Sequence, residues 1–409
     1  MQNVVFDEPY SFVPPYRGRF WSWAVGKFLP RLLRTRYGIT SWTNVGFDHL
    51  RKSIDRDYGI LLCPNHNSLA DPMMCGAITT GIPCHAYAMA SWHVFKQGWL
   101  ENFIARRVGG FSIYREGMDR KALDAAVGIV STAERPLVIF PEGVISGAND
   151  RLMPLMDGVS FVARAAARKR QKAHPESKVV VHPVGFVYEH QTPADEALPP
   201  VLSKLERSFF WRTQDHLPLL ERIQKLRDAV QTAREIQILG APVAGDVEQR
   251  IQALADHVLR RYEREWLGVE RTGDVIVRVK DLRIEILKDM VTGQVDDAER
   301  SRRWSILTDV YFAQCISLHV EGYLDPDRAG SRLNHRMFET VARLEEELTD
   351  SYTIFEDIHA EVRIGPAMEV DPQARRSRNG DGLMSDLRTG MLNVLGIEDE
   401  WPPAEVRTK

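Results

Sequence analysis

Leu61-Leu62-Cys63-Pro64-Asn65-His66-Asn67-Ser68-Leu69-Ala70-Asp71-Pro72 is the stretch around which the chain is organised. An apolar run from Gly59 to Cys63 stops at a proline, the pattern of a buried strand reaching the edge of its sheet. A histidine follows closely, and an aspartate comes five residues after it. On one continuous helix the two would stand about 140° apart and could not meet. A turn between strand and helix could instead fold Asp71 back onto the His66 ring. The carboxylate would then hold one ring N–H and leave the other nitrogen free as a base. The stretch alone also allows a plainer account. Asp71-Pro72 is a good helix start, with Asp as N-cap and Pro at the first helical position, and His66 would then hydrogen-bond a loop.

Outward from this stretch, strands and helices alternate. The strands expected are Ile39–Val45, Gly59–Cys63, Ala86–Ala90, Phe111–Tyr114, Leu137–Phe140 and Val179–Phe186. Helical patterns fill Pro72–Thr80, Val94–Arg107, Asp119–Glu134 and Leu155–Arg170. In the third, Leu123, Val127 and Val130 make the apolar stripe. Such alternation predicts an α/β fold, a mostly parallel sheet covered by helices. Ligands gather at the carboxyl ends of strands in such sheets. His66, Arg115 and Glu142 each fall just past a strand end.

Three further segments accompany the first. Gly109-Gly110-Phe111-Ser112-Ile113-Tyr114-Arg115 leads a glycine pair into a strand that ends on arginine. Phe140-Pro141-Glu142-Gly143 is a strand end that turns, and Val181-His182-Pro183-Val184-Gly185 is an apolar strand carrying a proline. Singly they read as two turns and an edge strand. Together they resemble the glycerolipid (glycerol-phosphate and lysophosphatidate) acyltransferase family. The family's Asn-His-x4-Asp motif matches Asn65, His66 and Asp71. Its glycine-led strand ending in arginine matches Gly110 to Arg115. Its Phe-Pro-Glu-Gly-Thr-Arg-Ser motif matches Phe140, Pro141, Glu142, Gly143 and Ser146, and its strand proline matches Pro183. The resemblance spans about 59–185, and Val362-Arg363-Ile364-Gly365-Pro366 resembles the strand that closes the same domain.

That resemblance implies transfer of an acyl group from acyl-CoA or an acyl carrier protein to a lysophosphatidate-like hydroxyl. His66 would be the general base and Asp71 its orienter, with no cofactor and no covalent acyl-enzyme. Arg115, Glu142, Gly143 and Arg151 would form the acceptor site, Arg on phosphate and Glu on a glycerol hydroxyl. N–H groups of the turn after His66 would meet the oxyanion, and the acyl chain would lie along Pro72–Phe95. Where the family has Thr-Arg, this chain has Val144-Ile145. The lost guanidinium contact is worth on the order of 1.5–3 kcal/mol. Three readings follow: Arg115 suffices alone, Arg151 further along the same loop compensates, or the acceptor is not a simple phosphomonoester. A non-catalytic membrane scaffold stands as the reading from a different class.

The rest of the chain sets the context. With 409 residues, 44% hydrophobic and 27% charged, it has room for two or three domains. A net charge of −3 argues against general nucleic-acid binding. Cys63, Cys75, Cys84 and Cys315 show no pairing or zinc spacing, so no metal site and a reduced, cytoplasmic setting are expected. From 16 to 36 there is no acid. Phe20, Trp21, Trp23 and Phe28 alternate there with bases including Arg31 and Arg34, which suits a helix lying on the inner face of the cell membrane. The alternative is a helix packed on its own domain, and Pro30 should kink or divide it. No stretch reads as a membrane span or a signal peptide.

After about Gln191 the chain turns helical. Val247, Ile251, Leu254, Val258, Tyr262 and Trp266 trace one core stripe, and Leu333, Met337, Val341, Leu344 and Leu348 another. The organisation expected is a membrane-surface segment (1–38), a first part of the α/β domain (39–195) and a helical insertion (196–354). Closing strands and helix (355–397) and a tail (398–409) follow. The loop 373–382 is polar.

Overall fold

A computed structural model describes residues 5–82, 84–374 and 381–397. Pro83, most of the polar loop 373–382 and the tail 398–409 lie outside the described residues. The described residues form two compact units, 10–191 with 354–397, and 5–9 with 192–353.

The first unit begins with α1 (Phe20–Tyr37) and β1 (Ile39–Val45), then α2 (Phe47–Asp55), β2 (Gly59–Pro64), α3 (Asp71–Gly81) and β3 (Tyr87–Ser91). It continues through α4 (Trp99–Arg107), β4 (Gly110–Ile113), α5 (Arg120–Thr132), β5 (Leu137–Val138), α6 (Gly158–Ala173) and β6 (Val179–His190). Every residue of β2 is buried, which is why its sequence is a continuous apolar run and not an alternation. The sheet order is β1–β7–β6–β2–β5–β3–β4, where β7 is Ile358–Ile364. β2 lies parallel to both β5 and β6, β3 parallel to β4 and β5, and β1 parallel to β7. Among the described residues the antiparallel pairings are those of β6 with β7 and with the short β8 (Met368–Glu369). The protein is thus α/β, with a mostly parallel sheet covered by helices and a helical block inserted between β6 and β7.

Several expectations change on folding. β6 is central, although it carries Pro183. The proline sits opposite Cys63 and between the β7 pairing, which starts at Val184, and the β8 pairing, which ends at Val181. Its missing N–H therefore breaks no ladder on that side. α1 runs unbroken through Pro30, because Leu29 and Leu33 on either side of it are both buried in the core and hold the two halves in line. The helix expected over Val94–Arg107 divides at Gly98 into a 3-10 turn (Trp92–Lys96) and α4. In α5 the fully buried face is Ala122, Ala126, Ile129 and Val130, while Leu123 and Val127 are half-buried. Small alanines let this helix approach α6 and the sheet closely.

The inserted block runs through α7 (Ala194–Ala197), α8 (Pro199–Phe210), α9 (Leu219–Leu239), α10 (Val247–Trp266), α11 (Val275–Leu287), α12 (Asp297–Ile316), α13 (Pro326–Ala329) and α14 (Leu333–Thr349). The stripe from Ile251 to Tyr262 is core, as its spacing implies. Three successive turns share one device. Glu206, Glu235 and Glu263, near the ends of their helices, accept the backbone N–H eight residues on, from Gln214, Val243 and Arg271. Each also pairs with an arginine in the first turn of the next helix, Arg222, Arg250 or Arg278. The last two copies repeat at a 28-residue pitch (235 to 263, 243 to 271, 250 to 278). The chain returns to the sheet at β7 and β8, and α15 (Gly382–Leu395) closes the first unit.

Candidate active site

The site begins where β2 ends. Past Pro64 the strand pairing with β6 is continued by side chains instead of backbone. The Asn65 amide donates to Phe186 O (3.0 Å) and accepts from Phe186 N (2.7 Å). Two residues further along β6, the Asn149 amide does the same with Tyr188, donating to its O (2.7 Å) and accepting from its N (3.0 Å). Asn67 links the two sets by donating to Asn149 Oδ1 and Phe186 O. This amide ladder frees the main chain to turn, and the turn carries His66.

His66 and Asp71 do meet. Nδ1 of His66 lies 2.8 Å from Oδ2 of Asp71, which also accepts the Ser68 N–H at 2.9 Å. An ionised carboxylate at that distance fixes the proton on Nδ1 and leaves Nε2 as the acceptor. Nε2 has no hydrogen-bond partner among the described residues, and the side chain is 16% exposed while Asp71 is fully buried. The ring packs on Phe140, with centroids 4.4 Å apart. Asp71 is the first residue of α3, but Ala70 holds the N-cap position and the Asp71 side chain does not cap the helix. The carboxylate serves the histidine instead.

The third motif cradles the same histidine by its backbone. Oε1 of Glu142 accepts the His66 N–H (2.6 Å), Oε2 accepts the Met153 N–H (2.7 Å), and the Ser146 N–H donates to His66 O (2.7 Å). Glu142 is 1% exposed, so both oxygens are turned inward onto backbone. The resemblance implies a glycerol-hydroxyl contact for Glu142; here its two oxygens accept the N–H groups of His66 and Met153. Burial pushes its carboxyl up to about 8, against the pull of the two N–H donors and of nearby Arg151. Gly143 has φ +70°, and a Cβ there would come within 2.8 Å of the Met156 side chain, so no other residue fits without strain. Arg115, two residues past β4, donates to the Gly143 carbonyl, and burial draws its guanidinium below its ordinary value. Pro141 accepts the Met156 N–H, and Ser146 is buried on Ala148. Gly110 opens β4 where a Cβ would stand 2.5 Å from Ala105 O.

The carboxyl ends of β2, β4 and β5 thus bring together Asn65, His66, Asp71, Arg115, Phe140, Pro141, Glu142, Gly143 and Ser146, with Arg151 beside Glu142. Pro183 stays within the sheet. The aromatic and basic residues of α1 lie elsewhere on the unit: Phe20, Trp23 and Phe28 are 62%, 56% and 69% exposed, Arg31 and Arg34 are exposed, and Trp21 packs edge-on against Phe103. Tyr188, Asn149 and Asn67 are absent from the motif set. The strand pattern ending at Phe186 runs on in fact to His190, and its period of two puts Tyr188 on the same face as Phe186 and Val184. No group of three or more His, Cys, Asp or Glu among the described residues could hold a metal ion.

A buried carboxylate thus orients a histidine whose far nitrogen is open to accept a proton, at the carboxyl end of a parallel sheet. The acyltransferase family model matches residues 47–187, from the start of α2 into β6, and takes in all four motifs. That model is of the lysophosphatidate and glycerolipid acyltransferases, and it covers about a third of the chain. No curated protein matches the chain.

Proposed function

We propose that the protein transfers a fatty acyl group from an acyl thioester, acyl-CoA or acyl carrier protein, to the hydroxyl of a lysophosphatidate-like glycerolipid. The observation that carries this is the 2.8 Å contact between His66 Nδ1 and Asp71, with Nε2 left open. Nε2 takes the proton of the acceptor hydroxyl as its oxygen attacks the thioester carbonyl. The tetrahedral intermediate collapses, the C–S bond breaks, and the imidazolium returns its proton to the leaving thiolate. Asp71 keeps the tautomer and steadies the imidazolium, and such assistance is worth about 10²–10⁴ in rate. The N–H groups of Ser68, Ala70 and Asp71 are engaged within the turn. Those of Asn67 and Leu69 have no partner among the described residues and are the donors this reading assigns to the oxyanion. Arg115 and Arg151 supply positive charge for the acceptor's phosphate.

A second acceptor has its own support. Val144-Ile145 stands where relatives carry Thr-Arg, and Arg115 is already engaged on Gly143 O. Fewer free guanidinium donors suit an acceptor whose phosphate is a diester, as in a lysophospholipid. The exposed aromatics of α1, with Lys27, Arg31 and Arg34 among them, suit peripheral attachment to an anionic leaflet. Among the described residues no helix is long and apolar enough to cross a membrane.

The test is incubation of the purified protein with a labelled acyl thioester and a panel of lysophosphatidate and lysophospholipids, read by mass spectrometry of extracted lipids. Phosphatidate as the main product supports the first acceptor and a diacyl phosphodiester the second. No acylated lipid across the panel contradicts both.

A further inference from the structure

The carboxylate of Asp71 has a second buried partner that no motif contains. Tyr188, on the last turn of pairing between β6 and β7, donates its hydroxyl to Oδ1 of Asp71 at 2.6 Å, on the side opposite His66. Tyr188 is 8% exposed and Asp71 fully buried, so water does not replace this contact. The tyrosine is itself clamped, with its backbone N–H and C=O both bound by the Asn149 side chain. Asn149 is tied in turn to Asn67, the residue next to the histidine. A closed loop of contacts therefore runs from His66 through Asp71, Tyr188, Asn149 and Asn67 back to the main chain beside His66.

We infer that Tyr188 is a positioning residue for acyl transfer, one that sets both the angle and the basicity of Asp71 and through it the proton affinity of His66. The inference rests on the reading of His66 as the general base. A strong donor on Oδ1 draws charge away from Oδ2, so the carboxylate stabilises the imidazolium less than a lone aspartate would. The groups facing the Tyr188 hydroxyl are Asp71 and Cys75 from α3 and Tyr37 from α1, while Glu142 accepts the His66 N–H and has Arg151 beside it. Burial and the neighbouring Asp71 hold the tyrosine well above its ordinary range, so it remains a donor at working pH. Burial holds the Cys75 thiol up as well. Neither supplies the acid limb of a rate profile, which belongs to the histidine.

The experiment compares wild type, Tyr188→Phe and His66→Ala in the acyl transfer assay, with kcat/KM followed from pH 5 to 9. Tyr188→Phe keeps the ring and removes the donor. The result expected is a fall in kcat of about tenfold, and an acid limb moved upward by about half to one pH unit because the imidazolium is now held more strongly. A limb that stays in place, even with lower turnover, would reduce Tyr188 to a packing residue and overturn the inference. Replacement of Tyr188 alone by a fluorinated tyrosine, a stronger donor of nearly the same shape, reads the same quantity with the opposite sign. Its acid limb should move downward, and an unmoved limb again overturns the inference should the phenylalanine variant fold poorly. The His66→Ala arm separates the two levels. Loss of turnover there with an unshifted Tyr188→Phe limb removes only the role of Tyr188, whereas retained turnover removes the general-base reading itself.

Discussion

Both units bury ionisable side chains, and they use them differently. In the α/β unit the buried Asp71 and Glu142 converge on one residue, His66, whose outer nitrogen is left open. In the helical block the buried Glu206, Glu235 and Glu263 recur at separate turns, each matched by an arginine and a backbone N–H with nothing left over. The first arrangement is convergent and leaves one nitrogen open. The second is repeated and closed, so it clamps one helix to the next. Buried ionisable groups are common to both arrangements; an open ring nitrogen at the centre is what separates them.

That contrast can be broken first in the helical block. Glu263→Ala takes from Arg278, which is 3% exposed, its buried partner and leaves it only the more exposed Asp256, and removing one partner of a buried pair typically costs about 3–5 kcal/mol, here at the low end. Urea unfolding should show that loss while acyl transfer per folded molecule is unchanged; a parallel fall in kcat would mean the clamp and the site are coupled. Gly143→Ala should have the next largest effect, because forcing a Cβ into the left-handed region costs about 1–2 kcal/mol and Met156 must also yield. It should lower stability by that amount and slow turnover several-fold through the loop that holds His66, and thermal melts with steady-state rates check both.

The pH dependence of stability sharpens the comparison further. Glu142 has its carboxyl raised from 4.5 to about 8, so between those values the folded chain holds a proton that the unfolded chain has released. Stability assigned to this group is fully present below about 4.5, declines as pH rises toward 8, and is flat above. Unfolding free energies of wild type and Glu142→Gln at pH 5, 6.5 and 8.5 should differ by that slope, and equal slopes would contradict it. The smallest effect concerns α1. Replacing Trp23 and Phe28 by serine should weaken binding to anionic vesicles about tenfold, with turnover on detergent-dispersed lysolipid unaltered. Unchanged vesicle binding would leave α1 as an ordinary surface helix.

Much of the α/β unit was legible in the sequence, because its signals are local. β2 announces itself as a buried apolar run ended by proline, and Asn65-His66 and Asp71 lie within one turn of it. What was missed depends on distance or on single residues. α2 is short, with Phe47 and Leu50 its buried apolar residues, too little periodicity to read alone. Tyr188 reaches Asp71 across 117 positions, and nothing near position 188 points to a carboxylate. The position of Glu142 just past a strand end was legible, yet the direction of its side chain onto backbone N–H groups was not. The clamp repeat escaped notice because its members are polar and spaced over turns, whereas the hydrophobic stripe of α10 beside it stands out at once.

The most direct measurement is the acyl transfer rate of His66→Ala, with its fold verified by circular dichroism, against wild type. The geometry at Nε2 predicts a loss of about 10²–10⁴ in kcat with little change in the binding of acyl thioester. Turnover within a few-fold of wild type would show that the acceptor proton leaves by another route, and the histidine would then be a structural residue.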